Sequence, residues 1–486
     1  MNQDNGGVIG KINTPTQTVA SGVWSIQQQF EAQSSSIWPL TFPRTTFTNS
    51  CRYDDGSDDY LSRTFGSSGN RKTWSFSTWV KRANLPNTNM NIIGTDYTSL
   101  GEAYLIFRPG EQLMYGQYES GGGANNYYFQ TNMNFRDASA FYHILFVWDT
   151  TQSTSSDRMK LYVNGSQITS FSTSAYPSLN LDGVWNSNRV HYVGDDAIDG
   201  TNLDGYLSET IFVDGQALTP SSFGAFNPVT NIWEPIAYTG TYGTNGFKLN
   251  YSDSSNLGDD TSGNGNDFTV NNLTSIDQST DTPSNNFAIL NHLDGGTSAT
   301  FSEGNLKLVT TSSGYATTRA SIGVSTGKWY FEGKLISGNA EIGIITSDQD
   351  ISNSNNPLGH SANGYAYTNA GAKYNNNNNS SYGDSYTSND IIGVALNLDD
   401  GQLFFYKNGT IQNSGTAAFS SLPSNTYHPA VSDDSSSTAC TWELNFGSPP
   451  YTISSGNADA NGHGNFEYAV PSGYFALCTK NLSEFG

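Results

Sequence analysis

The chain has 486 residues, enough for two or three domains each with its own hydrophobic core. Only 13% of them are charged, yet the net charge is −22, so the surface is mainly neutral amide and hydroxyl with surplus carboxylate, which argues against a nucleic-acid partner. No apolar run approaches the roughly 20 residues of a membrane helix, which excludes insertion by that route. The 50 Gly, 28 Tyr and 26 Phe suit short strands joined by turns and point to an all-β protein.

Residues 1–40 differ from the rest. The opening MNQDNGGVIG lacks the basic and apolar regions of a signal peptide, which implies synthesis in a cytoplasm. In ASGVWSIQQQFEAQSSSIWP, Val23, Ile26, Gln27 and Phe30 share one helical face, Ser21 can cap its start and Pro39 would stop it. A helix this short needs a partner surface, because isolated helices below roughly 12–15 residues are marginal in water. Either it packs on its own domain, or it is an anchoring arm that engages through Val23, Trp24, Ile26 and Phe30.

From 41 to 250 the pattern is strand after strand. WSFSTWVKRA from Trp74 alternates Phe76, Thr78 and Val80 against Ser77, Trp79 and Lys81. Farther on, Ile144 to Trp148 and Met159 to Val163 make a hairpin closed by a turn at Asn164-Gly165. Residues 251–297, rich in Gly, Asn, Asp and Ser, read as a loop-rich connector that Phe268, Val270 and Phe287 can pin to a neighbouring domain.

The last segment, 298–486, repeats the hairpin grammar. Ile391 to Leu398 and Leu403 to Tyr406 flank Asp399-Asp400-Gly401, and Asn408-Gly409 reverses the chain into Thr410-Ile411, a three-strand meander. In the tail, Tyr474, Phe475 and Leu477 can close a core edge or touch a partner.

These blocks carry two family resemblances. WSFSTWVKRA, the Ile144–Val163 hairpin and DGYLSETIFVDGQALTP from Asp204 resemble laminin G-like, concanavalin A-like domains in their order. GKWYFEGKLIS from Gly327, EIGIITS from Glu341, the central meander, YHPAVSDD from Tyr427 and WELNFG from Trp442 resemble a SPRY domain. Both resemblances imply antiparallel jelly-roll β-sandwiches. ASGVWS ahead of a lectin-like domain, with DTSGNGNDF and DTPSNNF in the connector, resembles structural proteins of tailed-phage virions.

Catalysis finds little support. The concanavalin A-like fold also hosts glycosidases, which need two carboxylates about 5–9.5 Å apart across the scissile bond. Here Glu209, Asp214, Glu332 and Glu341 are isolated or wrongly spaced, and the six His are scattered without a nucleophile elbow. Cys51, Cys440 and Cys478 make neither a metal-spaced pair nor a disulfide framework, and read as buried thiols.

No cofactor is implied, apart from Ca²⁺. Laminin G-like domains often carry that ion at a loop rim, and Asp195, Asp196 and Asp199 are the residues that would hold it; the alternative is a solvated turn. The tyrosine-rich stretch from His360 to Tyr386 offers faces for stacking on sugars and amides for their hydroxyls. Tyr365, Tyr367, Tyr374, Tyr382 and Tyr386, with Asn363 and Asn375, are the candidate glycan- or partner-binding surface, against a purely polar loop.

The expectation is therefore a non-enzymatic virion protein, a fibre or appendage component contributing to host-surface glycan attachment. Other virion proteins would be its partners, and it would be a homo-oligomer or present in many copies. A capsid decoration protein without a receptor role and a secreted lectin-like adhesin are the alternatives.

Overall fold

A computed structural model describes Gln27 and residues 45–86, 88–96, 101–119, 126–195, 201–228, 230–296, 298–312, 314–351 and 356–486. The chain divides into two compact units, Met1–Thr46 with Thr219–Thr239, and Phe47–Leu218 with Gly240–Gly486. In the first, the strands Gly224–Phe226 and Trp233–Pro235 pair antiparallel, Phe226 meets Trp233 edge-on at 5.0 Å, and the Thr45 amide donates to the Pro235 carbonyl.

The second unit holds two antiparallel β-sandwiches, each with its own core. In the amino-terminal one, a sheet runs in the order Ser166–Ile168, Met159–Val163, Tyr142–Asp149, Thr73–Arg82, Gly205–Asp214, Ser50–Tyr53, Gln278–Ser279. Its partner sheet has Met90–Thr95 and Val190–Val193 near its centre and ends on Thr269–Asn271. The core between them is aromatic: Trp74 stacks on Trp148 at 6.0 Å and on Trp185 at 5.4 Å.

In the second sandwich one sheet centres on Lys328–Ser337 and Ile391–Asn397, the other on Ala340–Thr346 and Tyr427–Asp433. Trp329, Phe331, Ile342, Val394 and Trp442 fill the space between. Phe475–Ala476 adds a parallel strand beside Trp329 and Tyr330. The tail thus closes an edge of the core.

Both sequence-predicted hairpins form, because their turn residues take the left-handed backbone that a two-residue turn demands: Asn164 (φ 47°) with Gly165 (φ 77°), and Asn408 (φ 47°) with Gly409 (φ 76°). A third such turn lies within the stretch expected to be loop. Asn376 (φ 51°) and Asn377 (φ 56°) join the strands Ala372–Asn375 and Asn378–Ser381, so the asparagine run builds a hairpin.

The strand Thr73–Arg82 is buried on both faces from Trp74 onward, although its alternation suggests one solvated face. Trp74, Phe76 and Val80 point into the sandwich core. On the other face Lys81, fully buried, donates to Asp281 Oδ2 (2.7 Å) and Asn286 Oδ1 (2.8 Å) of the connector. Arg52 reaches Asp277 (3.2 Å), Glu303 (3.1 Å) and the Pro449 carbonyl (3.2 Å), while Tyr206 Oη donates to the Gly304 carbonyl at 2.9 Å. Residues 251–296 are thus packed between the two sandwiches and give two strands to the first. Buried charge fixes the sandwiches to each other.

Candidate functional site

The structure does not assemble the tyrosines into a surface. Tyr365, Tyr367, Tyr382 and Tyr386 are all buried in the second core. Tyr365 and Tyr367 sit two apart on the strand Gly364–Thr368, so both rings face the sandwich interior. Tyr365 packs edge-on against Phe419 at 5.1 Å, and Tyr367 stacks on Phe405 at 5.1 Å. Their hydroxyls are used inside the domain: Tyr386 Oη bonds the Ala340 and Tyr367 carbonyls, Tyr382 Oη the Thr416 carbonyl, Tyr367 Oη the Asp384 carbonyl.

Tyr374 is half-buried and bonds Asn377 Oδ1. Asn375 Nδ2 donates to the Gly364 carbonyl at 2.8 Å, and Asn363 Nδ2 to Gln349 Oε1 at 3.3 Å. Composition suggested a sugar platform; the physical reason for its loss is that a tyrosine's apolar body packs inside while its hydroxyl finds a carbonyl.

Of the other candidates, Val23, Trp24, Ile26, Phe30, Asp196 and Asp199 lie outside the described residues. Asp195 is described and buried. Among the described residues no group of three or more His, Cys, Asp or Glu side chains is placed to hold a metal ion. The acidic turns organise their own backbone instead. Asp54 accepts from the Gly56 amide, and Asp260 accepts from the amides of Lys248, Ser262 and Asn266. All three cysteines are buried, free thiols.

Three of the four isolated acids are engaged one by one, and the fourth, Glu341, lies beside Asp434. Asp214 accepts from the Asn70 and Asn245 amides, and Glu209 pairs with Lys248 at 3.1 Å. Glu332 receives Tyr330 Oη (3.1 Å), Asn445 Nδ2 (3.3 Å) and the amides of Glu467 and Tyr468 (2.9 Å each). Burial pushes Glu332 up to about 7 against the pull of those donors. Glu341 takes the Gly359 amide at 2.9 Å on Oε2 and is held well above the usual carboxyl range by burial, with Asp434 beside it adding to the rise.

A feature absent from the sequence expectations lies at one lateral edge of the second sandwich, where each sheet ends. The strand Asn378–Ser381 is the last of one sheet and Thr410–Ile411 the last of the other. Between them opens a cleft of about 520 Å³ whose walls are the turns 381–384 and 410–414. Gln412 forms its base, buried and fully paired: Oε1 takes the Asp384 amide at 2.8 Å and Nε2 donates to the Thr410 carbonyl at 2.9 Å. The turn Asn413–Ser414–Gly415 has three successive left-handed residues (φ 50°, 51° and 83°), a strained run for two side-chain-bearing residues. The only sequence signal for it was the small polar run after Ile411.

Two stretches of the chain match known families. Residues 55–222 match the concanavalin A-like lectin/glucanase superfamily and residues 328–448 match the SPRY domain. The Drosophila melanogaster ATP-dependent RNA helicase Ddx1 is 31% identical over 144 residues, 29% of this chain and 18% of that protein. The Arabidopsis thaliana E3 ubiquitin-protein ligase RKP is 29% identical over 139 residues, 28% of this chain and 10% of that protein. The chain thus spans less than a fifth of either curated relative's length. Among solved structures, the SPRY domain of human HERC1 is 18% identical, covering 32% of this chain and 96% of that one at a TM-score of 0.28. A second human SPRY domain is 20% identical, covering 29% and 90% at a TM-score of 0.23. The chain joins a concanavalin A-like lectin/glucanase-superfamily domain to a SPRY domain.

Proposed function

We propose that this protein is a non-enzymatic structural component of a tailed-phage virion, a fibre or appendage subunit that contributes to host-surface glycan attachment. The observation that carries this reading is the fixed union of the two sandwiches. Arg52 on Glu303 and the Pro449 carbonyl, with Lys81 on Asp281 and Arg52 on Asp277 fastening the connector, makes a stiff presenting body in place of two domains on a tether. Glu209, Asp214 and Glu332 are engaged singly, and Glu341, beside Asp434, is buried away from any substrate, which supports a role without hydrolysis.

Other virion proteins are the partners in this reading, with residues 1–40 as the anchoring arm, and several copies per particle compensate for weak single-site contacts. The net charge of −22 disfavours nucleic acid, and among the described residues no helix is long and apolar enough to cross a membrane. The test is incorporation into particles. A form starting at Thr41 should fold yet be missing from purified virions, and cryo-electron microscopy should place the full chain on the particle surface. Normal incorporation of the truncated form would sink the arm; absence of the full chain from particles would sink the virion reading.

A further inference from the structure

We propose that the lateral cleft of the SPRY domain is a subsite for a neutral, hydroxyl-rich sugar, a proposal that rests on the glycan-attachment reading and gives it a place. Five polar side chains line the cleft with unused capacity: Ser381, Asp384, Thr410, Asn413 and Ser414 are all exposed, and none hydrogen-bonds through its side chain to another described residue. Together they supply a carboxylate that can accept from adjacent hydroxyls, an amide that donates and accepts, and three hydroxyls that do both. That inventory matches the alternating donors and acceptors of a sugar ring.

Ile411, 36% exposed, supplies an apolar wall for a ring's C–H face. Charge narrows the class further. No lysine or arginine lines the cleft, and two lysines of the same domain are engaged elsewhere: Lys373 donates to the Ala418 carbonyl (2.8 Å), and Lys407 to the Ser385 carbonyl (2.7 Å) and Asp390. A sulfated, phosphorylated or carboxylated sugar would therefore meet Asp384 without compensation.

The site is also held in shape. The Gly415 and Thr416 amides bond back to the carbonyls of Gln412 and Asn413 (3.0 Å each), and Tyr382 Oη fixes the Thr416 carbonyl at 3.0 Å. Gly383 passes so close to Gln412 and Tyr367 that a Cβ there would lie 2.7 Å from Gln412 Oε1 and 2.8 Å from Tyr367 Oη. This packing keeps the left-handed turn of Asn413 and Ser414 in place when the cleft is empty, so little ordering remains for a ligand to impose.

Saturation-transfer NMR on the full chain, with methyl glycosides of neutral hexoses and N-acetylhexosamines and a sulfated sugar as control, tests this directly. Neutral glycosides should bind with a dissociation constant on the order of 1 mM. Asp384→Ala and Asn413→Gly, the glycine keeping the left-handed turn, remove side chains that support no internal hydrogen bond and should each weaken binding at least tenfold with unchanged circular dichroism. No neutral glycoside bound, preference for the sulfated sugar, or full binding by both variants would overturn the assignment. Host-cell adsorption separates the two claims. Adsorption that persists in both variants refutes the cleft as receptor site and leaves attachment standing; sugar binding without adsorption by the wild type refutes the attachment role and leaves the cleft standing.

Discussion

The buried contact between the first sandwich and the connector makes a quantitative prediction for Asp281→Asn. Lys81 is 0% and Asp281 1% exposed, so the carboxylate is the one counter-charge within hydrogen-bond reach of an ammonium that water cannot solvate. The other acceptors of that ammonium, Asn286 Oδ1 at 2.8 Å and the Phe287 carbonyl at 3.3 Å, are neutral. The Tyr206 and Phe141 rings, 5.5 Å and 5.8 Å away, add a modest cation–π attraction. Asparagine keeps the shape and the acceptor for the Phe287 amide but strands the charge, which costs about 3–5 kcal/mol. Adding Lys81→Met removes the stranded charge and should restore at least half of that loss. The assay is urea unfolding of the full chain followed by tryptophan fluorescence and far-ultraviolet circular dichroism, in low and high salt, with no salt dependence of the difference because the pair is buried. A loss below about 1 kcal/mol for the single variant, or a double variant no more stable than the single, would refute a dry, charge-locked interface.

Three further outcomes are expected. Trp329→Ala, which empties a 1%-exposed site in the SPRY core, should cost about 3–5 kcal/mol by thermal or urea unfolding, and a loss under about 1 kcal/mol would contradict that burial. Because burial lifts Glu332 from 4.5 to about 7, the folded state holds a proton that the unfolded chain has released. Its stabilisation is therefore complete below pH 4.5 and is lost as the pH rises to about 7, by at most about 3 kcal/mol. Asp59, lifted to about 7 by burial, acts with the same sign; Glu332→Gln should flatten its own share of the slope, and a wild-type melting temperature independent of pH over this range would contradict the assignment. Limited proteolysis should spare residues 252–286, whose backbone is tied down by the strands Thr269–Asn271 and Gln278–Ser279 and by the bonds around Asp260, and a first cut there would show that this segment is looser than its contacts imply.

The fold was legible because its signals are local. Alternating strands around Trp74 and Trp329 and the Asn-Gly turns at 164 and 408 need only neighbouring residues to be read. What escaped depends on distant partners. Nothing near Lys81 or Arg52 says that their charges meet Asp281 and Glu303, and the same strand pattern would serve a solvated face. The tyrosines of 365–386 misled for a related reason, since amphipathic rings in a polar stretch suit a binding surface and a core equally well, and only the opposing Phe405 and Phe419 decide the matter. The lateral cleft was unreadable because it joins the ends of two different sheets, contributed by turns about 30 residues apart whose own composition is ordinary.

The charged seam between the sandwiches also bears on how such a protein can be inherited. A gene that exchanged its carboxy-terminal half after about residue 297 would keep Lys81 matched to Asp281, but would give up Glu303 and the Pro449 carbonyl, and leave Arg52 with Asp277 and the Ile276 carbonyl as its remaining partners. Such a chimaera would expose a face that the present chain keeps dry and would lose the cap over Tyr206 that Gly304 supplies. The two domains therefore do not behave as interchangeable cassettes. Viable recombinants should exchange internal segments of the SPRY half that keep both Glu303 and Pro449, so that the seam is undisturbed.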